Sequence, residues 1–302
     1  MNELISIFIP TYNRAEVLSS VLDKVIAQIA DYRIKIYIYD NGSTDNTKEI
    51  VNSKQKIYEL IEYYCNKVNL GPDKNMLNIL KFNETKYILM LGDDDYILES
   101  FYDTLNPYLT QDFGFIVLAN EDDYQKESTK IFSNKDEAFP FLWDKMPYGS
   151  LIMHTGFIKE GEVDKYIGTS HAYSAICWEI LAKNPKLKCL YLSQKLLVYL
   201  GKVQKTWNSS AMDIFYYQIP LWFSLLPDSY NSKEDVFIKS KKLRFKWKSL
   251  ISCKIYYNFN VLSSKHYFTS SEKLKYELIN ILPINLLPIQ KIWKVLKPYV
   301  KS

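Results

Sequence analysis

Four stretches decide the reading of this chain: SIFIPTYNR (Ser6–Arg14), DNGSTD (Asp40–Asp45), NLGPDKN (Asn69–Asn75) and LMLGDDD (Leu89–Asp95). They follow one another within the first hundred residues. Three of them set polar or acidic groups directly behind an apolar β-type run, where parallel α/β sheets gather ligands at the carboxyl ends of their strands. The third is a turn running into a helix, with Pro72 suited to its first position. No single stretch is decisive; the ordered set is.

Working outward, Leu4 to Ile9 reads as a buried strand, and Ala15 to Ala30 places Val17, Leu18, Val21, Leu22, Val25, Ile26 and Ile29 at helical spacing. The alternation repeats. Lys35 to Tyr39 predicts a second strand, Ser43 or Thr44 a helix cap with its helix ending near Val51, and Ile57 to Tyr64 a third strand. Pro72 opens a helix expected to end near Phe82, and Tyr87 to Leu91 is an apolar strand aimed at three aspartates. Gly114 to Ala119 predicts a further strand. A helix is expected from His171 to Lys183 with Thr169 or Ser170 as cap, and short strands at Cys189–Leu192 and Leu196–Leu200 are expected to close the sheet region. Strands alternating with helices predict a mainly parallel, three-layer α/β sheet, Rossmann-like in its crossovers.

With 302 residues, 47% of them hydrophobic, the chain has material for a real core and one or two domains. Cys65, Cys177, Cys189 and Cys253 lack paired spacing, which argues against a zinc site or a disulfide framework. Met1-Asn2-Glu3 lacks the basic start of a secretory leader, so a cytoplasmic location is expected. The net charge of +4 is unevenly spread. Fifteen Lys/Arg against four Asp/Glu give the stretch from Lys233 onward +11, leaving −7 on the residues before it. A catalytic domain at 1–208 and a helical, basic and aromatic appendage at 209–302 are expected.

The chemistry concentrates at the strand ends. Asp93, Asp94 and Asp95 are successive carboxylates, and two charges about 4.5 Å apart repel by about 3 to 4 kcal/mol at an effective dielectric near 20. A cation relieves that repulsion, and oxygen-only ligands favour Mg²⁺ or Mn²⁺. The plainer alternative is a solvated turn with a helix cap. Asp40, followed by Asn41-Gly42-Ser43, offers either an acceptor for the N–H of a pyrimidine base or an ordinary Asx turn. Tyr12 offers a ring to stack on a base or plain surface packing. His154 reads either as an acceptor-site residue or as a satisfied core histidine.

On these four stretches the segment from about Ile5 to Asp95 resembles the family 2 glycosyltransferases of GT-A fold, which move a sugar from a nucleotide-sugar donor with inversion. The resemblance implies a donor-binding set of Pro10, Thr11, Tyr12, Asn13, Arg14, Asp40, Asn41, Gly42, Asn69, Gly71, Asn75 and Asp93, with Lys202 and Lys205 beside the diphosphate. The NLGPDKN stretch is closest to the subgroup that transfers deoxysugars in bacterial surface-polysaccharide assembly. The family's Leu-Asp-x-Asp pattern is altered here, because Gly92 follows Leu91. Holding the strand register assigns the metal to Asp94 with Asp95 close behind; a literal Asp93-x-Asp95 reading is the alternative. The family's Glu-Asp base pair is missing from the matching region, where Gly168-Thr169-Ser170-His171 stands instead. A histidine at a helix start stays neutral and basic, which makes His171 the first candidate base, with Asp164 and Glu179 as rivals.

Lys239 to Lys254 holds seven basic residues and no acid, interleaved with Phe245, Trp247, Leu250 and Ile251. Lys291, Lys294 and Lys297 share a helical face nearby. Each basic residue near an anionic leaflet contributes about 1 kcal/mol, so the tail is expected to lie on the cytoplasmic face of a membrane, with packing on the catalytic domain as the alternative. Ile279 to Ile289 is too short, and too broken by Pro283 and Pro288, to span one. No nucleic-acid fold signature accompanies the charge. The expected function is an inverting, metal-assisted glycosyl transfer from a nucleotide sugar, UDP-linked, to a lipid-linked or growing surface glycan. The alternatives are a nucleotidyltransferase on a similar sheet and a silent nucleotide-binding scaffold.

Overall fold

Alternation inside the first strand sets the layers. In β1 (Ile5–Thr11), Ile5, Ile7 and Ile9 face one way and Ser6 and Phe8 the other, as the two-residue period of a strand requires, and all five are buried. A computed structural model describes residues 2–120, 123–157, 159–199, 213–244 and 269–281. The isoleucine face shares a core with Leu18, Val21, Leu22 and Val25 of α1 (Ala15–Ile29). On the opposite face Phe8 meets Tyr39 and Phe82, with ring centroids 6.0 and 5.9 Å apart. A sheet covered on both sides needs strands apolar on both sides, which is why the strands read as nearly continuous hydrophobic runs.

β2 (Ile36–Asp40) pairs parallel with β1, and α2 (Thr47–Gln55) leads to β3 (Ile61–Cys65) beyond it. α3 (Pro72–Leu77) and a 3₁₀ turn (Asn78–Lys81) then return the chain to β4 (Tyr87–Met90), which pairs parallel with the other side of β1. The winding therefore reverses between β1 and β4. Such a switch point opens a crevice outside the strand ends.

The chain continues through β5 (Asp95–Ile97), α4 (Phe101–Leu109), β6 (Phe113–Leu118), β7 (Lys130–Phe132), α5 (Lys135–Leu142), β8 (Leu151–His154), α6 (Ala172–Lys183), β9 (Lys188–Leu192) and β10 (Leu197–Tyr199). The main sheet has the order β3-β2-β1-β4-β8-β6-β9-β7. β8 lies antiparallel between β4 and β6, and β7 runs antiparallel to β9, while the other six strands share one direction, so the sheet is mainly parallel as expected but mixed. The four residues of β8 are too few to show a period.

Several boundaries differ from expectation for local reasons. Ile57 lies in the turn after α2, not in a strand: the amides of Ile57 and Tyr58 both bond the Lys54 carbonyl, and Ile57 is exposed. α2 begins at Thr47 behind Asn46, because Ser43 is already engaged by Asp40. α3 stops at Leu77, where the Asn78 side chain donates to the carbonyls of Lys74 and Asn75, the kind of local bond that competes with a helix ladder. β10 pairs with β5 in a small separate sheet and does not close the main one.

Two units divide the chain, Met1–Val203 with Leu226–Ser232, and Gln204–Leu225 with Lys233–Ser302. The described part of the second is helical, with a π-helical turn at Ile214–Gln218 and helices at Ile219–Leu225, Lys233–Arg244 and Ser270–Ile281. Among the described residues no helix is long and apolar enough to cross a membrane. Leu89 sits fully buried in β4, between β1 and β8. Leu89→Ala should lower unfolding free energy by about 2 to 5 kcal/mol in urea titration, and a loss under about 1 kcal/mol would contradict its place in the core.

Candidate active site

At the switch point the ends of β1 and β4 are joined by side chains. Thr11 donates to Asp93 Oδ2 at 2.9 Å, and Arg14 places one guanidinium nitrogen on Asp93 and the other on Asp94 Oδ2 at 2.9 Å. Asp93 is nearly inaccessible, and burial pushes its carboxyl up to about 6, against the opposing pull of Arg14 and Thr11. Arg14 thus occupies the place expected of a cation. Asp95 sits elsewhere. Its Oδ2 lies 2.6 Å from where a Cβ at Gly92 would stand and 2.8 Å from one at Gly149, whose φ of +85° already favours glycine. That contact explains the departure from the family pattern at position 92, since a side chain there would collide with Asp95.

The second loop is stapled to the first. Asn13, in the left-handed region at φ 51°, accepts from the Thr44 amide at 2.8 Å, while its own amide donates to Ser43 Oγ at 2.8 Å. Asp40 accepts from the Ser43 amide and hydroxyl at 2.8 and 2.6 Å and from the Tyr63 hydroxyl at 2.6 Å. These bonds engage both oxygens of a carboxylate that is almost wholly buried. Tyr12 stands 40% exposed at the tip of β1, available for stacking. Pro10 pairs with Tyr39 inside the sheet.

Asn69 and Gly71 join the site through Asn41, and Asn75 through Asn66, rather than directly. Asn41 donates to Asn69 Oδ1 at 2.9 Å and to the Gly71 carbonyl at 3.2 Å, and accepts from the Leu70 amide and from Asn66. Asn75 donates to the Tyr39 carbonyl at 3.1 Å. A Cβ at Gly42 would lie 2.9 Å from the Val68 backbone, which leaves that position to glycine. These residues brace the rim. Asn66 and Tyr63 were not singled out from the sequence, because nothing local marks their partners.

His171 occupies the N-cap of α6, one residue after Ser170 and two after Thr169, the expected caps. Its Nδ1 lies 3.1 Å from the Thr169 carbonyl. A carbonyl only accepts, so this contact is a hydrogen bond in the tautomer that carries the proton on Nδ1. Tyr148 ties this turn to the loop containing Gly149, its hydroxyl donating to the Ser170 carbonyl at 3.2 Å and its ring lying 4.1 Å from that of Tyr173. Glu179 is buried and accepts from Tyr166 at 2.6 Å and from Lys165 at 2.9 Å, a pairing that occupies it within the protein. Asp164 is exposed in a 3₁₀ turn at Asp164–Tyr166. His154 pairs with Tyr87 at the start of β4, the opposite end of the sheet from the aspartates. Its Nδ1 accepts from the Gly156 amide, its ring packs edge-on to Tyr87, and burial lowers its pKa, so it is a satisfied packing residue. Lys202 and Lys205 lie outside the described residues.

The aspartate pair fits a hard cation in one respect. Asp93 and Asp94 already converge on a single positive group, and Mg²⁺ or Mn²⁺ is commonly held by one or two carboxylates with water and substrate phosphates completing the shell. Among the described residues no cluster of three or more His, Cys, Asp or Glu stands ready to hold a metal alone. Arg14→Ala strands the buried Asp93 carboxylate and should cost about 1 to 3 kcal/mol in urea titration, whereas Arg14→Lys should recover part of that loss.

Comparison with known proteins agrees with this geometry. Over 108 residues the chain is 39% identical to abequosyltransferase RfbV of Salmonella typhimurium, a match covering 35% of this chain and 32% of that protein. Over 138 residues it is 30% identical to the GalNAc(5)-diNAcBac-PP-undecaprenol beta-1,3-glucosyltransferase of Campylobacter jejuni, covering 44% of each. The chain thus spans less than half the length of these relatives. Among solved structures, S. aureus TarS 1-349 in complex with UDP-GlcNAc superposes with a TM-score of 0.58 at 13% identity, over 92% of this chain and 79% of that one, which supports the expected GT-A fold. The family model for glycosyl transferase family 2 matches residues 6–167, more than half of the sequence, and the chain belongs to that family.

Proposed function

We propose that this chain transfers a sugar, with inversion, from a nucleoside diphosphate sugar to a hydroxyl of a lipid-linked or growing bacterial surface glycan. The observation that carries the reading is the convergence of Thr11, Arg14, Asp93 and Asp94 at the switch point, beside the Asp40 loop. Tyr12 stacks on the base, and Asp40 accepts its N–H. Asp93, buried beneath Thr11 and Arg14, holds both at the ribose side of the donor, and the more exposed Asp94, with Asp95 next in sequence, serves the divalent ion. When bound, Mg²⁺ or Mn²⁺ supplies charge neutralisation for the departing diphosphate. Arg14 adds a fixed positive charge at the same place. His171 takes the acceptor proton on Nε2, and its Nδ1–H bond to Thr169 holds the ring in the required tautomer. Asp164 is the remaining rival base, exposed where Glu179 is engaged.

The UDP-GlcNAc complex of TarS supports a UDP-linked donor, and the abequosyl transfer named for RfbV supports a deoxysugar. The Campylobacter relative supports a lipid-linked acceptor. The +11 charge from Lys233 onward supports a peripheral position on an anionic cytoplasmic membrane face, although most of that stretch lies outside the described residues.

The protein incubated with a panel of nucleotide sugars, Mn²⁺ and lipid-linked acceptor should release nucleoside diphosphate; release of pyrophosphate would instead indicate nucleotidyl transfer, and metal-dependent binding without turnover a scaffold. Asp94→Ala should abolish metal-dependent donor binding measured by calorimetry. His171→Ala should leave donor binding intact and lower kcat by about 100-fold or more; near-parent turnover would remove His171 from the mechanism. Removing residues from Lys233 onward should weaken sedimentation with anionic vesicles, and unchanged sedimentation would end the membrane reading.

A further inference from the structure

Asp73 has no part in the donor-side contacts described above, yet its carboxylate is buried and fully employed. Oδ2 accepts the backbone N–H groups of Gly168 at 2.8 Å and Ser170 at 2.9 Å, and Oδ1 lies 3.4 Å from the amide of Ala172. One side chain thus pins alternate amides of a turn more than ninety positions away, and His171 stands between the last two of them. The turn needs such a clamp. Gly168 has φ +93° and Ser170 φ +56°, the latter a left-handed conformation that a serine adopts only when its surroundings hold it. Hydrogen bonds from neutral amides to an ionised acceptor are about twice as strong as neutral ones, which makes a carboxylate the suitable holder.

The other end of the clamp is equally fixed. Asp73 belongs to α3, whose Asn75 bonds the Tyr39 carbonyl and whose preceding Gly71 carbonyl accepts from Asn41. The link therefore runs from the loop after β2, through α3, to the turn that bears His171. We propose that Asp73 is a positioning residue: it fixes the Gly168–Ala172 turn against the donor-side rim and so sets where His171 meets the acceptor hydroxyl. The inference rests on the assignment of His171 as base.

The test measures kcat, donor KM and thermal stability for Asp73→Ala, Asp73→Asn and His171→Ala, and for the His171→Ala/Asp73→Ala double variant, in the full chain. Asp73→Ala should lower kcat by about 100-fold, the scale of an ångström misplacement of a reacting group, while donor KM changes by less than about twofold. Asp73→Asn keeps one oxygen for the Gly168 and Ser170 amides but turns an NH2 toward the Ala172 amide, so it should fold with a melting temperature between those of the parent and Asp73→Ala and show an intermediate kcat. If Asp73→Ala fails to fold, Asp73→Asn carries the comparison. In the His171→Ala background, loss of Asp73 should add little further loss.

Parent-like turnover of both Asp73 variants, with His171→Ala inactive, would overturn the positioning role and leave the base in place. A fall in kcat matched by an equal rise in donor KM would also overturn it, as a general structural defect. Multiplying losses in the double variant would show that Asp73 does not act through His171. Near-parent turnover of His171→Ala would overturn the base assignment itself.

Discussion

The junction between β1 and β4 is the contact on which the rest of the site depends. Thr11 and Arg14 come from one strand end, Asp93 and Asp94 from the next, and the four side chains close the gap that the reversal of winding opens. A buried carboxylate is tolerated only when paired, because the interior stabilises an isolated charge poorly. Asp93 meets that condition with a hydroxyl and a guanidinium, and burial still raises its pKa. The pair of aspartates is therefore assembled before any ligand arrives. Preorganised charge of this kind needs no rearrangement during reaction.

Around that junction, loops without regular structure are held by side chains acting as backbone partners. Asn13 and Ser43 lock the first two loops together, and Asp40 closes its own turn. Asn41, Asn66, Asn69 and Asn75 form a continuous amide network under the third. Each amide both donates and accepts, so asparagine can satisfy two loop backbones at once. Rigid rims result, and rigid rims place ligand groups reproducibly.

The wall that carries Gly149 and His171 is built differently, from one turn and a pair of rings. Tyr148 and Tyr173 lie 4.1 Å apart between the Gly149 loop and the start of α6, and Tyr173 bonds the Met146 carbonyl at 2.8 Å. The same segment that makes room for Asp95 through Gly149 thus supports the turn containing His171.

The sequence by itself determined the strand ends and loops of the first hundred residues. Apolar runs followed by polar turns placed β1, β2 and β4, and with them Thr11, Asp40 and the aspartates, because strand period and turn chemistry are local properties. The likeness of the chain to its family was legible in the same four stretches. Only the tertiary structure decided the insertion of β8, which made the sheet mixed, and the placement of His154 at the wrong end for catalysis. It also engaged Glu179 with Lys165, set Arg14 across Asp93 and Asp94, and joined Asp73 to a turn beyond residue 167. Those outcomes depend on which distant groups meet when the sheet closes. No local pattern encodes the partner of a buried carboxylate; packing does.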